Sequence, residues 1–185
     1  MVARLTPKSI MPYMRLARLN QPIGSWLLVI PCWWSILFAT EATLNNSTMS
    51  LFIQFTLGAI VMRGAGCTLN DIIDSDFDQK VKRTATRPIP QGDVSLSQAV
   101  VFLIFQLLIG FIILIQFNTT TIYLGIGSLV LIFAYPFAKR YTHWPQLLLG
   151  LTFNWGALMG WASIKDALDW PAVMLYIAGI FWTLG

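Results

Sequence analysis

Phe52-Ile53-Gln54-Phe55-Thr56-Leu57-Gly58-Ala59-Ile60-Val61-Met62-Arg63-Gly64-Ala65-Gly66-Cys67-Thr68-Leu69-Asn70 runs directly into Asp71-Ile72-Ile73-Asp74-Ser75-Asp76-Phe77-Asp78. The first part has the length and apolarity of a membrane span. Carboxylates at the end of such a run are costly unless a cation compensates them. The residues that follow are basic: Lys80, Lys82, Arg83 and Arg87. An acidic cluster followed by a basic one, at a membrane surface, has the makings of a site for a metal-bound diphosphate.

The rest of the chain supports a membrane setting. Of 185 residues, 56% are hydrophobic and 11% charged, with a mean hydropathy of +0.67. A soluble domain carries about 25% charged residues. Apolar runs fall near residues 23–39, 52–70, 100–117, 122–138 and 146–163, and another begins near 172. With 13 glycines and few strand-like alternations, these read as helices and not as a barrel. The expected fold is an all-α, multi-spanning transmembrane bundle with five complete spans and a partial sixth. No low-complexity tract divides it, so residues 1–185 read as one membrane domain. The sixth run ends at Phe181-Trp182-Thr183-Leu184-Gly185, which makes a C-terminally truncated chain the expectation.

Arg4, Lys8, Arg15 and Arg18 precede the first span, Lys80 to Arg87 follow the second, and Lys139 and Arg140 follow the fourth. The opposite loops hold only Lys165. The positive-inside rule then places the N-terminus and the 71–99 loop on the cytoplasmic side, or the matrix side in a mitochondrion. The net charge of +4 reflects that orientation, not nucleic-acid binding. Cys32 and Cys67 lie inside spans and suit neither a disulfide framework nor a metal site. Asn45 to Thr48 and Asn118 to Thr121 read as short outer turns. Ser95 or Ser97 can cap the third span, and Pro145 suits the first turn of the fifth.

If the second span stays helical through residue 78, Asp71, Asp74 and Asp78 share an arc of about 60°, Asn70 lies about 40° further round, and Asp76 points away. Three carboxylates on one face repel one another unless cations neutralise them. Their hard oxygens suit Mg²⁺, with substrate phosphates completing its shell. Arg63, seven residues before Asn70, returns to nearly the same face about 10 Å deeper. A guanidinium at that depth suits an anionic group such as a carboxylate, or pairs with Asp71 or Asp74. Arg83, Arg87 and Lys139 are donors for phosphate. His143, the single histidine, lies in a loop.

Gly66-Cys67-Thr68-Leu69-Asn70-Asp71-Ile72-Ile73-Asp74, with Asp78 and then Lys82-Arg83-Thr84-Ala85-Thr86-Arg87-Pro88-Ile89-Pro90-Gln91-Gly92, resembles the first aspartate-rich region of the UbiA-type intramembrane prenyltransferases. Arg18-Leu19-Asn20-Gln21-Pro22-Ile23-Gly24 and Tyr135-Pro136-Phe137-Ala138-Lys139-Arg140-Tyr141-Thr142-His143-Trp144-Pro145-Gln146 agree with the branch that prenylates 4-hydroxybenzoate. The resemblance runs over essentially the whole chain. It implies nine transmembrane helices in the full fold, of which residues 1–185 would be the N-terminal two-thirds. It also implies Mg²⁺ bridging the acids and a polyprenyl diphosphate. Asn70, Asp74 and Asp78, with Asp71 close by, would serve that diphosphate. Arg83, Arg87, Lys139 and Arg18 would bind it, and Arg63 would face the aromatic carboxylate. The implied reaction joins the prenyl group to the ring of 4-hydroxybenzoate, ortho to its hydroxyl, in ubiquinone biosynthesis. The implied location is a bacterial inner membrane, or the mitochondrial inner membrane in a eukaryote. The family's second aspartate-rich motif is not among these residues. Alternative acceptors are haem, a naphthoate or homogentisate, and a cation-binding transporter is the reading from a different class.

Overall fold

The computed structural model describes residues 9–141 and 144–185, the stretch 137–141 by its backbone alone. The described residues form helices and turns, with no strand among them. Seven helices follow in order: α1 (Met11–Leu16), α2 (Ile23–Ala39), α3 (Asn46–Asp78), α4 (Leu96–Leu114), α5 (Thr119–Tyr141), α6 (Pro145–Lys165) and α7 (Trp170–Leu184). Four of them, α3 to α6, are long and apolar enough to cross a membrane. Of the five complete spans expected, the first is the exception. Helix α2 covers residues 23–39 as anticipated but has only 17 residues, about 25 Å of helix. The turn after it ends the helix, with Glu41 and Ala42 both at positive φ. Helix α7, the sixth run, has 15 residues.

Side chains set several helix starts. Asn45 accepts hydrogen bonds from the Thr48 backbone N–H at 2.9 Å and the Thr48 hydroxyl at 3.0 Å. Asn118 accepts from the Thr121 N–H at 3.0 Å. The two stretches expected as outer turns are therefore the capped openings of α3 and α5. Ser95 opens α4 by a reciprocal pair with Gln98: the Gln98 N–H donates to Ser95 Oγ at 3.2 Å, and the Ser95 N–H donates to Gln98 Oε1 at 2.9 Å. That is a capping box. Pro145 stands in the first turn of α6.

The chain divides into two compact units. One comprises the residues up to Pro22 and Ile60–Gly110. Its core is Leu16, Val94 and Ala99, flanked by Tyr13, Ile72, Ile89 and Phe102. The rings of Tyr13 and Phe102 meet edge to face at 5.2 Å. Gly64 of α3 permits close approach here, because a Cβ there would stand 2.6 Å from Gln106 Nε2 and 3.2 Å from Ala17 Cβ. Gln106 in turn accepts a hydrogen bond from the Thr68 hydroxyl at 2.9 Å, which ties α4 to α3.

The other unit comprises Ile23–Ala59 and Phe111–Gly185, with α6 at its centre. Helix α6 packs on α2, α5 and α7. Gly156 and Gly160, four apart, let α2 come close. A Cβ on Gly160 would lie 2.6 Å from the Cys32 carbonyl oxygen, and one on Gly156 2.5 Å from Cys32 Sγ. This is the small-xxx-small contact of membrane helix pairs. Polar side chains add to it. Ser35 Oγ donates to the Ala157 carbonyl at 2.5 Å, Trp155 Nε1 to Leu124 O at 2.9 Å, and Asn154 Nδ2 to Thr183 Oγ1 at 3.0 Å. Large apolar side chains such as Phe105, Ile112, Val130, Phe181 and Trp182 are exposed, as lipid-facing positions are. The chain is an integral membrane protein.

Candidate functional site

Helix α3 has 33 residues, about 50 Å. That exceeds a hydrocarbon core of about 30 Å, so its last turns carry polar chemistry without standing in hydrocarbon. The helix continues through Asp78, which the spacing argument required. The faces divide accordingly. Asp71, Asp74 and Asp78 are only 1%, 9% and 6% exposed, Asn70 is half-buried, and Asp76 is exposed.

Two arginines from different segments meet these acids. Arg18 Nη2 donates to both oxygens of Asp71, at 3.0 and 3.1 Å. Arg87 Nη1 donates to Asp71 Oδ1 at 3.0 Å and to Asp78 Oδ2 at 2.6 Å. Asp71, expected as one of three metal carboxylates, is thus held by two guanidiniums. The sequence shows the acids' shared face but not cations arriving from 53 and 16 residues away. Among the described residues, no group of three or more His, Cys, Asp or Glu side chains is arranged to hold a metal ion.

Arg18 reaches Asp71 from an unusual backbone. It follows α1 at φ 55°. The Leu19 N–H donates to Met14 O at 3.0 Å, and the Arg18 N–H donates to Arg15 O at 3.1 Å. These two bonds make a Schellman motif, in which the left-handed position usually belongs to glycine. A side chain there costs about 1 kcal/mol, which the charge-assisted contact of its Nη2 with both Asp71 oxygens offsets.

Arg87 is held by its own segment. Thr84 Oγ1 donates to the Asp78 carbonyl at 3.0 Å, which folds the chain back as α3 ends. Pro88 and Val94 are buried, and the Val94 N–H donates to Pro88 O at 3.2 Å. Arg15 clamps this segment to α1. Its Nη2 donates to the Thr86 carbonyl at 2.5 Å, and its Nη1 pairs with Asp93 Oδ2 at 3.3 Å. In the sequence Arg15 is one of several basic residues ahead of the first span. Its clue was its position three residues before Arg18, in a short stretch opened by Pro12.

The other expected residues lie as follows. Arg63 is half-buried on α3, and its Nη1 donates to Cys67 Sγ at 2.7 Å. Arg83 is exposed and makes no ion pair among the described residues. Lys139 and His143 lie outside the described side chains.

The chain resembles known proteins over nearly its full length. The model of the family described as "UbiA prenyltransferase family" matches residues 28–185. The rat mitochondrial 4-hydroxybenzoate polyprenyltransferase is 51% identical over 99% of this chain and 49% of its own. The human protein of that name is 52% identical over 96% and 48%, and the Arabidopsis thaliana one 48% over 96% and 44%. The chain thus spans about half the length of these curated relatives. Among solved structures, one of digeranylgeranylglyceryl phosphate synthase superposes with a TM-score of 0.77 at 18% identity, over 96% of this chain and 61% of the other. A UbiA homologue from Aeropyrum pernix K1 gives 0.68 at 24%, over 85% and 59%. At those identities the two structures speak for the fold alone. With the family model matching most of its length, the chain belongs to the UbiA prenyltransferase family.

Proposed function

We propose that this protein transfers a polyprenyl group from polyprenyl diphosphate to 4-hydroxybenzoate, at the ring carbon ortho to the hydroxyl, as a step of ubiquinone biosynthesis. One observation carries the reading: identity near 50% over almost the whole chain to relatives that bear this activity's name. The acid and base placement supports it. The family uses a divalent metal to bind diphosphate, and we propose Mg²⁺. Asp74 and Asp78, with Asn70, offer the hard oxygens that Mg²⁺ takes. The small number of protein ligands suits an ion whose shell substrate phosphates and water complete.

The site's own residues then act on charge and position. Arg87 spans Asp71 and Asp78 and can exchange Asp78 for a phosphate oxygen, as Arg pairs with either acid in the same planar fashion. Arg18 stands beside it. Arg83 lies four residues before Arg87, and Lys139 keeps the phosphate-binding role that the motif resemblance gives it. The metal, when bound, neutralises charge that develops on the departing diphosphate. These cationic groups do the same from fixed positions. The C–O bond to the diphosphate breaks, the allylic carbon is attacked by the electron-rich ring, and loss of the ring proton restores aromaticity. Arg63 grips the acceptor's carboxylate. Residues 1–185 belong to one membrane domain in this reading, supported by a family match that runs unbroken over residues 28–185. We place the protein in the inner mitochondrial membrane or a bacterial plasma membrane, with the acidic end of α3 facing matrix or cytoplasm.

The test is prenyl transfer by the full natural chain, with 4-hydroxybenzoate offered against homogentisate and a naphthoate. Asp74→Ala and Asp78→Ala should abolish product, and the exposed Asp76→Ala should be mild. Preference for another acceptor would overturn the substrate. Equal loss from all three substitutions would overturn the assignment of the buried face.

A further inference from the structure

Asp71 and Asp78 on α3 are not equivalent. Asp71 is the more deeply buried. Both its oxygens are taken, Oδ1 by Arg18 and Arg87 and Oδ2 by Arg18. Asp78 gives one oxygen, to Arg87 alone. The two guanidiniums on Asp71 come from separate pieces of chain, one from the end of α1 and one from the segment after α3. Arg18 is set by its Schellman turn, and the Arg87 segment by Thr84 and by Arg15 of α1. Arg15 ties the two pieces directly through Thr86 and Asp93, and Asp71 is where their two guanidiniums meet.

We propose that Asp71 is a positioning residue: it holds Arg18 and Arg87 side by side for the diphosphate and is not itself a metal ligand. This rests on the prenyl-transfer reading above. The physical argument is one of competition. A carboxylate that already accepts three bonds from two guanidiniums has most of its about four lone-pair sites occupied and little left for a cation. The incoming ion would also sit against two positive groups, at a large electrostatic cost. A diphosphate faces the opposite situation, because guanidiniums pre-set by an acid behind them meet it without reorganising. Asp71 therefore acts through its arginines, as carboxylates behind metal-binding histidines act through the imidazole.

The full natural chain, purified in detergent, can be titrated with Mn²⁺ in the presence of inorganic pyrophosphate and followed by electron paramagnetic resonance. Asp71→Asn should keep Mn²⁺ affinity within about threefold of wild type. Asp74→Asn should lose about tenfold or more, the order of effect that loss of a ligand or its support brings. In steady-state assays Asp71→Asn should raise KM for the prenyl diphosphate. Its effect should not add to that of Arg18→Lys, since both break one contact. Asp71→Glu, which keeps the charge, should recover part of the loss and covers the case in which Asp71→Asn fails to fold. An equal fall in Mn²⁺ affinity for Asp71→Asn and Asp74→Asn would overturn the proposal, and so would additive effects with Arg18→Lys. A wild-type protein that binds no Mn²⁺ with pyrophosphate would instead sink the prenyl-transfer reading on which the proposal stands.

Discussion

Arg18 occupies a backbone position that glycine ordinarily takes, at φ 55° after α1, and gains from it a reach to Asp71 at 3.0 Å. Backbone and charge can be separated there. Arg18→Ala loses the ion pair and keeps the strained conformation, whereas Arg18→Gly loses the pair and relieves the strain. Arg18→Gly should therefore be the more stable of the two by about 1 kcal/mol, with both equally impaired toward the prenyl diphosphate. Denaturant unfolding in detergent, alongside KM measurements, checks this. Equal stability would mean that the turn does not hold Arg18 left-handed. Arg63 poses a different question, since it lies two turns before Asn70 on α3. If it grips the acceptor, Arg63→Ala should raise KM for 4-hydroxybenzoate by roughly tenfold to a hundredfold, from a charge-assisted pair of about 1.5–3 kcal/mol. KM for the prenyl diphosphate should hardly change. A defect confined to the diphosphate would move Arg63 to the leaving-group side.

At the scale of the helices, glycine spacing decides how closely α6 and α2 pack. Gly160→Ala would place a methyl 2.6 Å from the Cys32 carbonyl oxygen, and backbone cannot swing aside as a side chain does. Overpacking of this kind costs about 1–3 kcal/mol, so the variant should unfold at lower denaturant. Gly66→Ala, whose added methyl meets nothing within 4 Å, should be neutral or slightly stabilising. Similar losses from both would show that the close approach to the Cys32 carbonyl is not what makes Gly160→Ala costly. The helices themselves were legible from apolar runs: α2 and α4 to α7 start or end within about four residues of the expected spans, whereas α3 (Asn46–Asp78) extends well beyond the 52–70 run at both ends. Their beginnings were less so, because Asn45 and Asn118 look alike as turn residues and as caps until the N–H groups they serve are in place. The shared face of Asp71, Asp74 and Asp78 follows from helical spacing alone. The pairing of Asp71 does not, because Arg18 and Arg87 reach it through tertiary packing around Leu16, Val94 and Ala99, which no local period encodes. Helix α1 was hidden for the same reason: six residues are too few to show a period.

For the molecule in its membrane, the distribution of charge predicts both what residues 1–185 do alone and what they do not. Insertion needs apolar spans and a lysine–arginine bias. Helices α3 to α6 supply the spans, and Arg15, Arg18 and the Lys80 to Arg87 cluster supply the bias. A polypeptide of these residues should insert with its N-terminus in the cytoplasm, which a reporter fused ahead of residue 1 detects. It should nonetheless form no prenylated 4-hydroxybenzoate. Of its eight acidic residues, four belong to the cluster on α3, where arginines already engage Asp71 and Asp78. The remainder offer no second cluster. Asp93 pairs with Arg15, Asp166 accepts from the Thr120 N–H, Asp169 accepts from Trp161 Nε1, and Glu41 stands in the exposed turn after α2. A metal-bound diphosphate needs charge compensation on more than one side, and each ~1.36 kcal/mol of transition-state stabilisation missing is a tenfold loss of rate. Expressing residues 1–185 in a strain that lacks its own enzyme, and measuring prenylated product, decides the matter. Clear product would mean that the α3 cluster and its arginines suffice, or that two copies combine to complete one site.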